Sequence, residues 1–348
     1  MKIGGIPQSV VEWIALKLEV APRALIDTHA AMLLARTVMA GAELKVFDAL
    51  AERPLTAAET AAACDSDTTA TALLLDALAS CGYLRFRDGR FELTRRARHW
   101  LLSSGPSVRD KLLLQVAEWR WLETLEGFVR TGRPLDFHAS MTAEERELYH
   151  RGMRALAGVA APEVARLVPL PRGARRMVDL GGSHGHYAAE ICRRNPRLSA
   201  EVMDLPDAIR AAAPLLASEG LGERLVHRAG DAVTADLGTE QYDLVLMSNL
   251  AHHLDAEQNR ALAVRVTRAL KRGGAFVIQE PARIERPGSA GQIPALLGLY
   301  FAMQSRPGVR TWSAGEMAEW QRSAGLKARR AKRLRTAPGW VQQAGIKA

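Results

Sequence analysis

Three cysteines in 348 residues, Cys64, Cys81 and Cys192, are too few and too scattered for a disulfide framework or a zinc site. Each reads as a small buried apolar side chain. No apolar run approaches the roughly 20 residues needed to span a bilayer, so no membrane partner is expected. The opening Met1-Lys-Ile-Gly-Gly-Ile-Pro7 lacks the long apolar core and small-residue cleavage site of a signal peptide, and cytoplasmic residence is the expectation. Internal repeats and low-complexity segments are missing too.

Charge of one sign is in excess, at +9, and this invites a nucleic-acid reading. Clusters stand at Arg95-Arg96-Arg98 and along Lys327 to Arg335, the latter alternating with small or apolar residues like a solvated strand face. The segment that a DNA-binding helix would present, Ala70 to Ala79, has no Arg, Lys or Asn for base edges or phosphates. Diffuse solubilising charge is the better account, and no nucleic-acid partner is expected.

What is present suffices for two domains with cores of their own, at 48% hydrophobic and 24% charged residues. Residues 8 to 50 carry helical periodicity through Val11, Ile14, Leu18, Leu33, Leu34, Val38, Leu44, Phe47 and Leu50. Thr56 with Glu59 forms a capping box, Ser66-Asp67 starts another helix, and Tyr83 to Leu93 alternates around Asp88-Gly89, a hairpin signal. Helices followed by a hairpin predict a winged-helix-like domain over 1–105. Residues 106–170 read as a helical linker with Trp119, Trp121 and a helix from about Thr142. Over 171–348 strands and helices alternate, which predicts a parallel sheet with helices on both faces. The strands are expected at 176–180, 200–204, 225–228, 242–247 and 274–279, with an antiparallel edge from 326–335 and 339–346.

The first of those strands leads into Met177-Val-Asp-Leu-Gly-Gly-Ser-His-Gly-His-Tyr187, and the next ends in Val202-Met-Asp-Leu-Pro206. A glycine turn admits a ligand's polar end to the backbone, and a carboxylate about 20 residues on can accept a ribose diol. This is a nucleoside-binding βαβ unit. The turn lacks the third glycine of a dinucleotide fingerprint, which packs helix on strand beneath a pyrophosphate. Asp231, at the end of a third strand, is placed to meet an adenine amino group. The pattern suits S-adenosylmethionine, whose sulfonium nucleoside has no phosphate to cradle.

The ordered run Val178-Asp-Leu-Gly-Gly-Ser-His-Gly185, Met203-Asp-Leu-Pro206, Gly230-Asp231, Tyr242-Asp-Leu-Val-Leu-Met-Ser-Asn-Leu-Ala-His-His253, Leu270-Lys-Arg-Gly-Gly274 and Gln279-Glu280 resembles the small-molecule S-adenosylmethionine-dependent O-methyltransferases. The likeness runs from about residue 30 to the end. It implies a Rossmann-like class I methyltransferase sheet behind a winged-helix dimerisation domain, hence a homodimer. It also implies a small aromatic acceptor methylated on a phenol or enol hydroxyl, S-adenosylhomocysteine as by-product, and no metal. By the same resemblance Gly181, Gly182 and Gly185 face the methionine part, Asp204 and Leu205 the ribose and adenine, and Asp231 with Ala232 the adenine, with Asp179 also among the cofactor-binding residues. Ser248 stands where plant members often place a lysine near the cofactor. His252 takes the general base's position and Glu280 that of the acid that orients it. Trp119, Tyr149, Met153, His253, Phe301 and Met303 fall in regions that supply acceptor pockets.

A phenol of pKa ~10 facing an imidazole of ~6.5 leaves roughly 5 kcal/mol against full proton transfer, so deprotonation must accompany methyl transfer or the site must narrow the gap. His253, about 100° round a helix from His252, is expected to point elsewhere. His184 reads as a local hydrogen-bonding residue, and His29, His99, His138, His150 and His227 as plain surface or core residues. Val309 precedes Arg310-Thr311 where plant members often carry a second glutamate. Alternatives on the same scaffold are N- or C-methylation and a cofactor-binding enzyme that transfers no methyl group; a winged-helix DNA binder is the remotest.

Overall fold

The computed structural model describes residues 4–105, 107–283, 285, 288, 291–304 and 309–348. The chain divides into two compact units, Lys2–Ala117 and Glu118–Ala348.

In the first unit polar caps set the helix starts. Thr56 accepts from the Glu59 N–H and Glu59 Oε2 accepts from the Thr56 N–H, opening the helix Ala57–Ala63. Asp67 caps Thr68–Ser80 through the Ala70 N–H. β1 (Leu84–Arg87) and β2 (Arg90–Leu93) pair antiparallel, and their turn holds Asp88 and Gly89 at φ 49° and 75°, the left-handed pair that a tight hairpin requires. Phe47, Leu50, Leu75, Leu78, Leu84 and Phe91 form the core beneath.

The residue 8–50 stretch is helical as expected, in several short helices, chiefly Val10–Lys17 and Ala31–Glu43, with Arg23–Leu25 and a π-helical turn at Ile26–Ala30 between them. Much of its apolar stripe stays in solvent, with Val11 76% and Leu18 67% exposed. Cys81, expected inside, is exposed at the C-terminal cap of Thr68–Ser80; Cys64 is half-buried and Cys192 buried.

The second unit is built on one sheet. β3 (Arg176–Leu180), β4 (Ser199–Asp204), β5 (Leu225–Ala229), β6 (Tyr242–Ser248) and β7 (Leu270–Pro281) run parallel. β8 (Leu326–Ala328), β9 (Lys332–Arg333) and β10 (Trp340–Lys347) complete an antiparallel edge, giving the order β5-β4-β3-β6-β7-β10-β8 with β9 also on β10. The single strand expected at 326–335 is thus two short pieces. Brief, lysine- and arginine-bearing edge strands leave little backbone for another chain to pair with. Side chains alternate between two apolar layers, with Val178, Leu180, Val245, Met247, Phe276 and Ile278 in one. Met177, Val202, Leu244, Leu246, Ala275 and Val277 lie in the other. Strands buried on both faces need apolar residues at nearly every position, which is why they read as continuous runs.

β3 lies between β4 and β6, so the chain moves outward one way through β4 and β5 and then crosses to β6. The crevice at the carboxyl ends of β3 and β6 is where such sheets bind ligands. No helix among the described residues is long and apolar enough to cross a membrane.

Candidate active site

β3 ends at Leu180 and the chain turns sharply into the helix His186–Arg194. Gly181, Ser183 and Gly185 take φ of 67°, 44° and 69°. Space is as limiting as dihedral angle. A Cβ on Gly182 would lie 2.6 Å from the Asp179 carboxyl, and one on Gly185 2.5 Å from Leu216 Cδ1. Gly185→Ala is therefore expected to cost about 2–3 kcal/mol, from strain and overpacking together. Gly273→Ala, at φ 74° with nothing within 4 Å, isolates the strain and should cost only ~1 kcal/mol. Urea midpoints measure both, and equal losses would remove the packing argument.

Asp179 sits under this turn, 1% exposed, and neither carboxylate oxygen has a hydrogen-bond partner. Burial, with the nearby Asp204 charge, pushes its carboxyl up to about 8. Asp204 closes β4: its Oδ2 accepts from the Ser183 N–H at 2.9 Å and its Oδ1 from the Leu205 N–H at 2.8 Å. Burial pushes Asp204 up while those two donors pull it back. The Gly230 N–H donates to the Asp204 carbonyl at 3.0 Å, which sets the end of β5 beside that of β4. Beyond it Asp231 is exposed, Ala232 is buried and Leu205 is exposed. Ser248, at the end of β6, is buried, and its hydroxyl accepts from Gln279 Nε2 at 3.0 Å.

These residues fit a sulfonium nucleoside bearing an amino acid. The partnerless Asp179 carboxylate is what a ligand ammonium needs, Asp204 is placed for a diol, and Gly182 lets the backbone close over Asp179 and Val202 where a Cβ would clash. Among the described residues no group of three or more His, Cys, Asp or Glu is arranged to hold a metal ion.

After β6 the chain passes through Asn249, in a left-handed conformation, into the single turn Ala251–His253. Leu250 lies against the glycine turn, 3.1 Å from where a Gly181 Cβ would stand, so this segment adjoins the turn directly. The Ala251 carbonyl accepts from Trp312 Nε1 at 2.8 Å and Asn259 Nδ2 at 3.0 Å. Its N–H donates to Glu280 Oε1 at 2.6 Å, while Glu280 Oε2 lies 2.6 Å from His252 Nδ1. Both side chains are buried, His252 at 4% and Glu280 at 0% exposure. A carboxylate accepts only, so Nδ1 carries the proton and the lone pair is left on Nε2. The sequence-predicted pair is brought together.

Rings surround it. The His252 ring centroid is 4.3 Å from His253 and 4.8 Å from Phe301. His253 in turn lies 5.4 Å from His138, and His138 lies 5.4 Å from Tyr149. The segment is a single 3-10 turn and not an α-helix, and the His253 ring nonetheless stays beside that of His252. Burial, with the Glu118 and Asp204 charges, raises the Tyr149 phenol and keeps it protonated.

Of the other expected pocket residues, Met303 is buried with its carbonyl accepting from the Leu135 N–H at 2.9 Å, and Trp119 and Met153 are half-buried. Sequence reasoning missed Trp340, whose ring stands 6.2 Å from Phe301 and whose Nε1 donates to Asn249 Oδ1 at 2.8 Å. It also gave plain roles to His138, His150 and His227. The latter two hold Ser183, and no spacing rule marks them. His184 is the local hydrogen-bonding residue expected, its Nδ1 accepting from the His186 N–H. Val309 is half-buried, and Arg310 pairs with Glu316 at 3.0 Å.

The family model of the O-methyltransferase domain matches residues 127–327, and that of the O-methyltransferase dimerisation domain matches 28–103. The chain belongs to the O-methyltransferase family. This O-methyltransferase is 30% identical over 338 residues to a 3-hydroxy-5-methyl-1-naphthoate 3-O-methyltransferase of Streptomyces sahachiroi, covering 94% of this chain and 96% of that one. It is also 30% identical over 314 residues to the acetylserotonin O-methyltransferase of Mus musculus, covering 83% of this chain and 80% of the relative. Its fold matches human N-acetylserotonin methyltransferase, solved in complex with S-adenosylmethionine, at a TM-score of 0.81 and 22% identity over 99% of both chains. The winged-helix-like elements fall within the dimerisation match.

Proposed function

We propose that this O-methyltransferase takes S-adenosylmethionine as donor and methylates a phenol or enol hydroxyl of a small aromatic metabolite, in natural-product biosynthesis, as a homodimer. The observation that carries the reading is the buried His252–Glu280 pair beside the glycine turn, in which a carboxylate on Nδ1 directs the lone pair to Nε2. S-adenosylmethionine supplies, when bound, a methyl group on sulfonium. Asp179 takes the donor's ammonium and Asp204 its ribose diol, with Leu205, Asp231 and Ala232 about the adenine and Ser248 behind. His252 Nε2 accepts the hydroxyl proton, and Glu280 stabilises the imidazolium that forms. Phe301, Tyr149 and His253 supply flat surfaces against an aromatic acceptor and exclude water from the reacting oxygen.

The relatives named above act on hydroxyl-bearing aromatic compounds, which supports the acceptor class. For the homodimer, the dimerisation match is supported by the exposed Val10, Val11, Trp13, Leu18, Leu33 and Leu34 of the first unit, apolar area that a second copy would cover. Residues 1–105 serve as the dimerisation domain, 106–170 as a linker lending side chains to the acceptor pocket, and 171–348 as the catalytic domain.

Methyl-labelled donor, incubated with the protein and a panel of phenols and enols, tests the reading. Label is expected in an organic-soluble ether. Label found only on carbon or nitrogen would overturn the hydroxyl as target.

A further inference from the structure

The glycine turn carries two other residues, Ser183 and His184, and Ser183 holds a left-handed φ of 44° that an L-residue adopts reluctantly. Each of its polar groups is engaged. The N–H donates to Asp204 Oδ2 at 2.9 Å, Oγ lies 2.6 Å from His150 Nδ1, and the carbonyl accepts from His227 Nε2 at 2.8 Å. His150 is 5% exposed, and burial, with His138 and Arg146 behind it, pushes its imidazole down to about 4. It is neutral at pH 7 and meets the Ser183 hydroxyl as an uncharged partner.

His150 lies on the helix Ala143–Leu167, next to Tyr149. One helical turn on, Arg154 Nε donates to Glu219 Oε1 at 2.7 Å. Glu219 also receives His186 Nδ1 at 2.9 Å and Arg193 at 2.7 Å, both from the helix that follows the glycine turn. One helix therefore carries an acceptor-side ring, holds the glycine turn at Ser183 and braces the helix after it.

We infer that Ser183 and His150 form a positioning pair that fixes the turn so that the Asp204 carboxylate is aimed at the ribose, tying the helix that bears Tyr149 to nucleoside binding. This rests on the reading of Asp204 as the ribose acceptor. A mere filler at residue 183 would be improved by glycine, since left-handed strain would be relieved. The pair makes the opposite forecast for binding, because glycine has no Oγ for His150.

The test is calorimetric binding of S-adenosylhomocysteine, with thermal melting beside it. Ser183→Gly should melt within a few degrees of the wild-type temperature, relief of left-handed strain offsetting the lost hydrogen bond, yet bind about 10-fold more weakly. His150→Ala should lose a similar factor, the double variant little more than either single one, and His150→Asn, which returns a polar group near the Nδ1 position, should recover part of it. Ser183→Gly binding within about 2-fold of wild type would overturn the inference. Asp204→Asn separates the two levels. If it too binds normally, the ribose reading fails and the inference with it; if it binds weakly while Ser183→Gly does not, only the positioning pair is lost.

Discussion

Glu280→Gln should lower kcat by about 10²–10⁴-fold while leaving S-adenosylhomocysteine binding near wild type. Which way the new amide faces decides the outcome. Glu280 has two jobs, accepting the Ala251 N–H on one oxygen and holding His252 Nδ1 with the other. A glutamine can keep only one of them. The Ala251 N–H is a fixed backbone donor in a buried turn, and leaving it unpaired or facing an NH₂ group costs ~1–3 kcal/mol. The amide oxygen therefore stays on Ala251, and the NH₂ group meets Nδ1. Nδ1 must then accept, which moves the ring proton to Nε2, the nitrogen required to take a proton from the acceptor. Glu280→Gln thus disables the base by tautomer, with its position kept. His252→Ala should fall to a similar floor, and the double variant little further, because the two residues act as one unit. Steady-state kinetics beside calorimetric binding settles it. A kcat within about 3-fold of wild type in Glu280→Gln would show that methyl transfer proceeds without a base.

Residue order specifies some parts of the molecule locally and leaves others to packing. The β3 turn and Asp204 at the tip of β4 were legible because each is tied to a strand end by a local pattern, and parallel strands bring their carboxyl ends together, whereas His252 and Glu280 were marked by the family resemblance. The hairpin at Asp88-Gly89 was legible for the same local reason. The contact of the His253 ring with those of His252 and His138 was not legible, because it depends on side-chain rotamers and on packing from another segment. Trp340 and Asn249 meet across 91 residues, and His150 reaches Ser183 across 33, contacts fixed by how β10 and the helix Ala143–Leu167 pack and not by any spacing. Those late-arriving side chains form the walls of the site, while the locally encoded ones form its chemistry. This is why reaction type could be read from residue order and the shape of the acceptor could not. The apolar stripe of residues 8–50 belongs to the same class. Its periodicity was real, but the chain alone leaves much of it in solvent.

Asp179→Asn is expected to make the ligand-free protein more stable and a poorer binder at once. A carboxyl raised to about 8 when folded, against 3.8 as its ordinary value, holds in the native state a proton that the unfolded chain releases. Stability then falls as pH rises from about 4 to about 8 and levels off above, since over that span the folded protein binds more protons than the unfolded one. Asparagine removes the charge that burial penalises, so at pH 7–8 the variant should gain ~1–3 kcal/mol, a rise of several degrees in Tm, and its stability should depend less on pH across that window. Binding runs the other way. An ammonium beside Asp179 favours the carboxylate, so ligand binding must expel the proton that the free site holds. At pH 7 the ligand's own amine, with a pKa of about 7.8, is largely protonated already, so most of one proton should leave for solvent on binding S-adenosylhomocysteine. Calorimetry in two buffers of different ionisation enthalpy counts that proton directly. In Asp179→Asn the release should vanish and affinity should drop by about 10–100-fold, the worth of a charge-assisted hydrogen bond in a buried site. Buffer-independent heats in the wild type would mean that the ammonium is held elsewhere. The partnerless carboxylate under Gly182 would then be a cost to the fold without a return in binding.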